Sequence, residues 1–515
     1  MDSSYRKNQK YGRTILKTHR RITGDLSIDI PIVKEILKEV LPAHNRNAEE
    51  EKRLFDIYFN GDWWQKEKTQ RPDINNQINI PTAYAITRTL NGYVFTDPIK
   101  YTARNSKGNP EKLTQVEHLS ALLDYAHNHD STTSAAISAS VCGLGYKLVL
   151  PTKQSVYKNT GVAFVINSEP LFPMECGMVY SDEVIPEEVL GFIIGTNYDE
   201  NYQPNGNLYT VWTKYHQILL KDGGDGAFEV IPQILDINGG TYSVDGYEMN
   251  IDNIPLVEVE RNPFRKGDWE VAVDLLRLKN QLLSNREDDV EQAIDYVLLL
   301  MNAEFESKEE KDAALKNRVI SLKTVDPMNP PSLEILKAQL DQTGIQTYAN
   351  YVDLLIQECV GIPNRQENGY GGGDTGQAVQ YRNGFRDLEN NAGLIIPKMD
   401  KAELKFVGLC IAYNKNMQDT ELGDLKPFDI RCKFNRSLSD DITTSANAFA
   451  TYVKHGVAFS DAFILSKSGT DAAELTSNAI EAYKNGTSYL AITNNDNNSD
   501  SVEKAVIETE TSADM

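Results

Sequence analysis

The chain has 515 residues, of which 40% are hydrophobic, and carries a formal net charge of -22. This length allows about three domains, and the apolar content excludes a wholly disordered protein, while no run of about 18 apolar residues or apolar N-terminal signal segment is found. The acidic charge also argues against a protein that coats DNA, since nucleic-acid binders gain affinity from Lys and Arg side chains on phosphates.

The first half of the chain is predicted to combine helices with a β-rich module. Residues 27–60 show two amphipathic helices, a third helix follows Pro81, and a fourth covers 112–129. Between 145 and 260, short apolar runs separated by Asn-Gly and Asp-Gly clusters predict strands. We therefore expect an α+β protein that is mainly helical.

Two long helices joined by a small module are predicted in the second half. The first begins near Asp268, which is suited to an N-cap, and runs to about residue 298. Residues 299–331 hold one strand-like run, with Arg318 and Lys323 at its ends. The second helix is predicted to start at the cap Ser332 and to end at residue 361.

A glycine-rich loop at 364–376 follows the second long helix. It contains Asn364, Arg365, Gly369, Tyr370, Gly371, Gly372, Gly373 and Asp374. A P-loop needs GxxxxGK[ST] after a strand, whereas this loop follows a helix and is succeeded by Gln377, so a nucleotide site is not expected. The glycines indicate a flexible connection between helices.

A third long helix is predicted from Gln377, with Arg382 and Arg386 on its first turns. Pro397 interrupts the pattern, and a kink is expected there. A strand over 428–434 and further helices up to residue 485 complete the predicted order.

Several polar and aromatic residues resemble parts of functional sites, but each has a structural interpretation. His127, His129 and Asp130 are interpreted as the polar end of a helix, and the acidic run 287–295 as a solvated helix face. Trp63 and Trp64 are interpreted as core or interface residues. No nucleophile or metal-ligand pattern stands out, so the sequence predicts neither an enzyme nor a cofactor.

The cysteines and the chain ends add two further expectations. Five scattered cysteines, never in CxxC spacing, favour free thiols over a disulfide framework or a zinc site; they are Cys142, Cys176, Cys359, Cys410 and Cys432. The basic residues 1–24 and the acidic residues after about 490 lack apolar periodicity, so both are predicted to be poorly ordered.

The order of several loose motifs resembles the portal proteins of siphoviruses that infect Gram-positive bacteria. The matching segments are YFNG at 58–61, INNQINIPTAYAITRTLNGYVFTDPIKY at 74–101, GLGYKL at 143–148, IPLVEV at 254–259, LRLKNQLLSNREDDV at 276–290 and IPNRQENGYGGGDTGQAVQY at 362–381. Asn280, Ser284, Asp288 and Asp289 fit the family pattern, whereas Leu278 stands where an aromatic residue is common.

The resemblance implies a portal fold with these regions: a wing at 1–265 with the strand 428–434, stem helices at 268–298 and 332–361, a clip at 299–331, a tunnel loop at 364–376, a kinked channel helix at 377–427, a crown at 435–485 and a disordered tail at 486–515. It also implies a ring, with twelve subunits in the virion, at one capsid vertex through which double-stranded DNA is packaged and ejected. Arg382 and Arg386 would then meet DNA phosphates.

The resemblance further implies a set of partners and places. The clip around Arg318 and Lys323 would contact the terminase large subunit and later the head-tail adaptor, and the major capsid and scaffold proteins would be further partners, with the basic N-terminal arm as a candidate contact. The protein would be found in the host cytoplasm during assembly and then in the virion, with no membrane. The alternative is another phage structural protein, such as a tail or baseplate subunit, without a DNA channel.

Overall fold

The computed structural model describes residues 12–61, 63–66, 74–104, 110–198, 202–223, 227–237, 240–249, 251–294, 297–301, 303–304, 323–324, 332–336, 342–363, 385–434, 450–451 and 454. The chain divides into two compact units, one comprising 1–373 and 377–436 and the other 374–376 and 437–515. Nearly all described residues belong to the first unit. The predicted crown, except for 450–451 and 454, and the predicted tail lie outside the described residues.

Eight α-helices are found within the described residues. They are α1 (Leu26–Tyr58), α2 (Thr82–Val94), α3 (Pro110–Tyr125), α4 (Asn128–Cys142), α5 (Gln154–Thr160), α6 (Val273–Ile294), α7 (Gln342–Val360) and α8 (Phe385–Asn416). The α+β class is confirmed, with more residues in helices than in strands.

The strands of the β-rich module form a large sheet and smaller ones. They are β1 (Leu16–Thr18), β2 (Lys100–Ala103), β3 (Leu144–Pro151), β4 (Phe164–Ile166), β5 (Cys176–Ser181), β6 (Glu188–Tyr198), β7 (Pro204–Thr213), β8 (His216–Asp222), β9 (Phe228–Val230), β10 (Gln233–Ile237), β11 (Gly240–Val244), β12 (Tyr247–Glu248) and β13 (Leu256–Glu260). The large sheet has the order β1-β5-β6-β7-β8-β12, with β9 on β8, and a second sheet has the order β13-β3-β4.

Helix α1 packs its apolar stripe on the large sheet. Val33, Ile36, Leu37 and Val40 recur at helical spacing and are buried against the sheet residues Val179, Leu190, Phe192, Val211, Ile218 and Leu220. Two helices were predicted here, but α1 continues through Pro31 and Pro42. Burial of each such side chain contributes roughly 1.5–3 kcal/mol, so packing outweighs the hydrogen bonds that the prolines remove.

The N-terminal segment is ordered from residue 12 onward, so the predicted disorder of 1–24 is wrong for 12–24. β1 pairs in parallel with β5, and Leu16 is buried between the sheet and α1. The Arg13 guanidinium donates to the Glu270 carboxylate at 3.0 Å, with both side chains nearly inaccessible to solvent. Residues 1–11 lie outside the described part of the chain.

Between α6 and α7, the structure replaces predicted helical turns by strands. β14 (Val297–Met301) pairs antiparallel with β17 (Ser332–Leu336), and β15 (Ala303–Glu304) pairs with β16 (Lys323–Thr324). The first long helix therefore ends at Ile294 and the second begins at Gln342, so Ser332 is not a helix cap. Short apolar runs such as VLLLM fit a strand as well as a helix turn.

Helix α8 is one helix, in which Pro397 occurs without ending it. The predicted interruption is therefore wrong, and the helix stops at Asn416 rather than near 427. The 3-10 turn Pro427–Asp429 then leads into β18 (Ile430–Lys433), which pairs with β2 and confirms the predicted strand over 428–434. Over the described residues, no helix combines the length and apolar character needed to cross a membrane.

Candidate functional site

All residues of the predicted tunnel loop lie outside the described residues. This holds for 364–376, which include all of the candidate loop residues, and for Arg382 and Arg318. Lys323 belongs to the short strand β16. Arg386 lies in the first turn of α8 and is exposed. The candidate site is therefore built from the helices and strands that flank these segments.

The two long helices α6 and α7 lie side by side. Lys279 of α6 and Asp353 of α7 form an ion pair at 2.6 Å, and the Arg286 guanidinium donates to the Gln346 side chain at 2.7 Å. Because β14 and β17 pair directly beyond these helices, the chain leaves and returns along one antiparallel ribbon. The subunit thus carries a pair of struts closed at one end by β-pairing.

The other end of the helix pair is closed by Asn391 of α8. Its side-chain amide donates to the backbone carbonyls of Val360 and Gly361, both at 3.0 Å. Val360 is the last residue of α7 and Gly361 follows it, and carbonyls at a helix end have no partner within the helix. Asn391 thereby joins the end of α7 to α8, on the two sides of the glycine-rich segment.

We expect Asn391→Ala to lower the free energy of unfolding by about 1–2 kcal/mol, because two partly buried carbonyls lose their donor. Urea unfolding of the purified variant measures the change. Asn390→Ala, at the exposed neighbouring position, is the control and should lie within about 0.5 kcal/mol of the parent. Equal losses in the two variants would contradict the assigned role.

Three polar side chains on one face of α6 hold an extended segment of the chain. Asn280, Ser284 and Asp288 are spaced four residues apart and are all buried. Their oxygens accept hydrogen bonds from the backbone N–H groups of every second residue of the segment: Ile80 at 3.2 Å, Ile78 at 2.8 Å and Asn76 at 2.8 Å. The side-chain oxygens of α6 therefore bind the backbone N–H groups of this segment, as the carbonyls of a neighbouring β-strand would. We call Asn280, Ser284 and Asp288 the polar ladder.

Asp288 has a second partner, the ammonium group of Lys66, and both side chains are almost fully buried. Glu291 accepts from the Asn76 side-chain amide at 2.7 Å. The acidic run at 287–295 was interpreted as a solvated face. That interpretation is wrong for Asp288, which anchors the extended segment, whereas Asp289 is exposed.

A buried ion pair fixes α8 to the β13-β3-β4 sheet. The Lys147 ammonium on β3 donates to Glu403 of α8, to Asn128 and to Thr132, each at 2.8 Å. It also lies 3.8 Å from the centroid of the Phe406 ring, in reach of a cation–π contact. All three donors of the ammonium group are thus satisfied in a site closed to solvent.

The other oxygen of the Glu403 carboxylate is also satisfied. It accepts from the Tyr101 hydroxyl at 2.7 Å and from the Asn128 amide at 2.8 Å. Burial opposes the charged form, but Lys147 and these hydrogen bonds outweigh it and lower the pKa of Glu403 below 4.5. This cluster was not predicted, although a lysine within the apolar segment GYKLVLP is a visible signal in the sequence.

A second cluster secures the start of α6. Asp268 accepts from the Arg261 guanidinium at 2.6 and 2.9 Å and from the Ser140 hydroxyl at 2.6 Å. Trp269 is fully buried and its indole N–H donates to the Thr87 hydroxyl at 3.0 Å. Asp268 was predicted to be a helix cap, but it binds Arg261 instead, and α6 begins only after the 3-10 turn Glu270–Ala272.

One buried carboxyl group has an oxygen without a hydrogen-bond partner. Glu51 of α1 is buried, and its Oε2 atom has no hydrogen-bond partner beside a cavity of about 10 Å³, room for about one water. Burial raises the pKa of Glu51 to about 7, although Arg13 opposes the shift. The folded protein therefore favours the protonated acid.

We expect Glu51→Gln to stabilise the protein above pH 7 by roughly 2–3 kcal/mol and to have little effect near pH 4.5. The stability associated with the raised pKa is full below pH 4.5 and is lost as the pH rises through about 7. Thermal unfolding of both proteins between pH 5 and 8.5 measures the difference. Glu49→Gln, at an exposed site on the same helix, should show no such trend, and a pH-independent difference for Glu51→Gln would refute the interpretation.

The structure agrees with some of the structural interpretations given to the histidine and tryptophan pairs and corrects others. His127, which adopts a left-handed conformation, separates α3 from α4, so His129 and Asp130 begin a helix rather than end one. No cluster of three possible metal ligands occurs in the described ranges. Trp64 is buried, and the Trp63 indole N–H donates to Asn79 at 3.0 Å, which agrees with a packing role.

The described geometry is that of a braced structural subunit, in which buried ion pairs connect long helices to a β-rich body. The family model "Phage portal protein, SPP1 Gp6-like" matches residues 37–481 of this chain. The chain therefore belongs to the SPP1 Gp6-like family of phage portal proteins, which are structural proteins of siphovirus type. A search of curated proteins found no match.

Proposed function

We propose that this chain forms a closed ring, of twelve subunits in the virion, at one vertex of the capsid. Double-stranded DNA passes through its axial channel during packaging and ejection. The wing, stem, clip, tunnel-loop and crown regions then correspond to the ranges expected from the sequence, with stem helices corrected to α6 and α7 and with β14 and β17 as the base of the clip. The family match over residues 37–481 carries this proposal.

The helix pair supports the assignment of a stem. α6 and α7 are neighbouring antiparallel helices joined by the Lys279–Asp353 ion pair and connected at one end by the β14–β17 ribbon. A ring buries the side faces of such struts between neighbouring subunits in a heterologous, closed interface. The clip beyond the ribbon, with Arg318 and Lys323, would bind the terminase large subunit and then the head-tail adaptor. Capsid and scaffold proteins would contact the wing.

The charge of the chain supports passage without adhesion. A net charge of -22 repels phosphates, so a duplex in an acidic channel would slide rather than bind. Arg386 in the first turn of α8, and Arg382 a few residues earlier in the sequence, would make weak, salt-screened phosphate contacts. The energy for packaging would come from the terminase, and the purified ring is expected not to hydrolyse ATP.

Electron microscopy of the purified protein tests the ring. We expect rings with a central hole, and native mass spectrometry should give one dominant closed oligomer. Monomers or open filaments at micromolar concentration, in the presence of scaffold protein, would contradict the proposal.

The tunnel loop is tested separately with Gly371→Pro and Gly373→Pro in one chain. Proline restricts the backbone that the glycines leave free. Rings and capsids should form as before, while DNA packaging or retention falls at least tenfold, measured as nuclease-protected DNA per capsid. Normal packaging by this variant would refute the placement of residues 364–376 in the channel.

A further inference from the structure

The turn between β5 and β6 presents two aliphatic side chains to solvent. Val184 is 101% exposed and Ile185 is 81% exposed, the highest values for aliphatic side chains in the described part of the chain. Acidic residues flank them, and we call residues 182–187 the β5–β6 tip. The tip is held in shape by hydrogen bonds from the Ser181 N–H to the Glu187 carbonyl at 2.7 Å and from the Asp182 N–H to the Thr18 carbonyl at 3.1 Å.

A groove elsewhere on the same subunit has matching chemistry. It has a volume of about 430 Å³ and lies between α5, the α3–α4 junction and β4. Its apolar lining, which defines the β4 groove, consists of Tyr125, Val156, Val162, Phe164, Val165 and Ile166. Val156 and Val165 at its mouth are 45% and 55% exposed. A groove of this size admits two branched aliphatic side chains.

The charges around the two surfaces are complementary. Lys153 and Lys158, at the two ends of α5, are exposed and form no ion pair with any described residue. Asp182 of the tip likewise has no ion pair within the described ranges, whereas Glu183 is paired with Arg21. Asp130 also lines the groove, so we expect the acidic tip to approach from the side of the two lysines and away from Asp130.

We propose that Val184 and Ile185 of one subunit insert into the β4 groove of the next subunit, with Asp182 facing Lys153 and Lys158. The occupant is a second copy of this chain, because every subunit carries both the acidic, aliphatic tip and the apolar groove flanked by lysines. Such head-to-tail contacts are heterologous, and repetition around an axis closes a ring. The rigid tip requires little ordering on binding, which favours this contact. This inference rests on the proposed ring.

Disulfide cross-linking tests the contact directly. Ile185→Cys and Val156→Cys are combined in one chain on a Cys359→Ser background, which removes the exposed native thiol. Mild oxidation of assembled rings should give a ladder of covalent oligomers on a denaturing gel. Each variant with only one of the two introduced cysteines should stay monomeric on that gel. Rings without a ladder in the double variant would overturn the inference.

A charge exchange gives a second, independent readout. Asp182→Lys and Lys158→Asp should each weaken the ring at least tenfold in the protein concentration needed for assembly. The variant with both changes should recover most of that loss, because the attraction is restored with the signs reversed. Single changes without effect, or a double variant no better than the singles, would overturn the inference.

Val184→Asp separates this inference from the proposed function. Rings of the Val184→Asp variant should dissociate at a lower salt concentration and a lower temperature than rings of the parent protein. Ile234→Asp, at another exposed aliphatic position, should leave the ring as stable as the parent. If the parent protein forms no ring, the proposed function fails. If Val184→Asp rings match the parent, the ring survives and only the inference fails. Val184→Asp rings of normal stability that are excluded from capsids would assign the tip to a capsid or scaffold protein and also overturn it.

Discussion

Replacing Lys147 by methionine is expected to lower the free energy of unfolding by about 3–5 kcal/mol. The change leaves the Glu403 carboxylate buried without its cation, and removing one partner of a buried pair costs far more than the pair itself contributes. It also removes the donor to Thr132. Thermal and urea unfolding of the variant give the value, and the loss should exceed that of any single surface ion pair.

The double variant Lys147→Met with Glu403→Leu distinguishes a buried charge from simple loss of volume. Removal of both charges should restore at least half of the lost stability, because no uncompensated ion remains. Lys405→Met, at the partly exposed ion pair with Glu188, serves as the control and should cost at most about 1 kcal/mol. A double variant that is no more stable than Lys147→Met would count against the pair.

Asp288→Ala is expected to destabilise the protein by about 3 kcal/mol and to expose the segment around residue 76 to proteases. The change leaves the Lys66 ammonium and the Asn76 N–H group without their acceptor in a buried place. Asp289→Ala, one residue away and exposed, should have almost no effect on either measurement.

Asp288 and Asp289 are a matched pair, because both are aspartates and Asp288 is buried whereas Asp289 is exposed. Limited proteolysis followed by mass spectrometry locates the first cleavage, and thermal unfolding gives the stability. Similar behaviour of the two variants would show that the polar ladder does not hold the segment.

Local patterns predicted most helix faces and the β-rich module. The spacing of Val33, Ile36 and Leu37 identified the face of α1 that packs on the sheet. The same reasoning failed for β14, because its five apolar residues in a row have no period that separates a strand from a buried helix turn, and it also failed for its partner β17. The break at His127 was also missed, since α4 carries a weak apolar stripe rich in Ala and Ser.

The buried polar contacts could not be found from the sequence because their partners are far apart in it. Lys147 and Glu403 are separated by 256 residues, and Asp288 and Asn76 by 212. The family motif marked Asn280, Ser284 and Asp288 but gave no sign of what they bind. The tunnel loop and Arg382 remain predictions, because they lie outside the described residues.

Pro397 gives α8 a defined position at which the helix can bend easily. Pro397 has no N–H to donate to the carbonyl of Gly393, so bending there breaks no backbone hydrogen bond. On the C-terminal side of Pro397, Lys398 is paired with Glu260 and Glu403 with Lys147. These ion pairs hold the C-terminal half of α8 against the β13-β3-β4 sheet. We therefore expect α8 to bend most easily at Pro397, between the part that Asn391 joins to α7 and the part that Lys398 and Glu403 join to the β13-β3-β4 sheet.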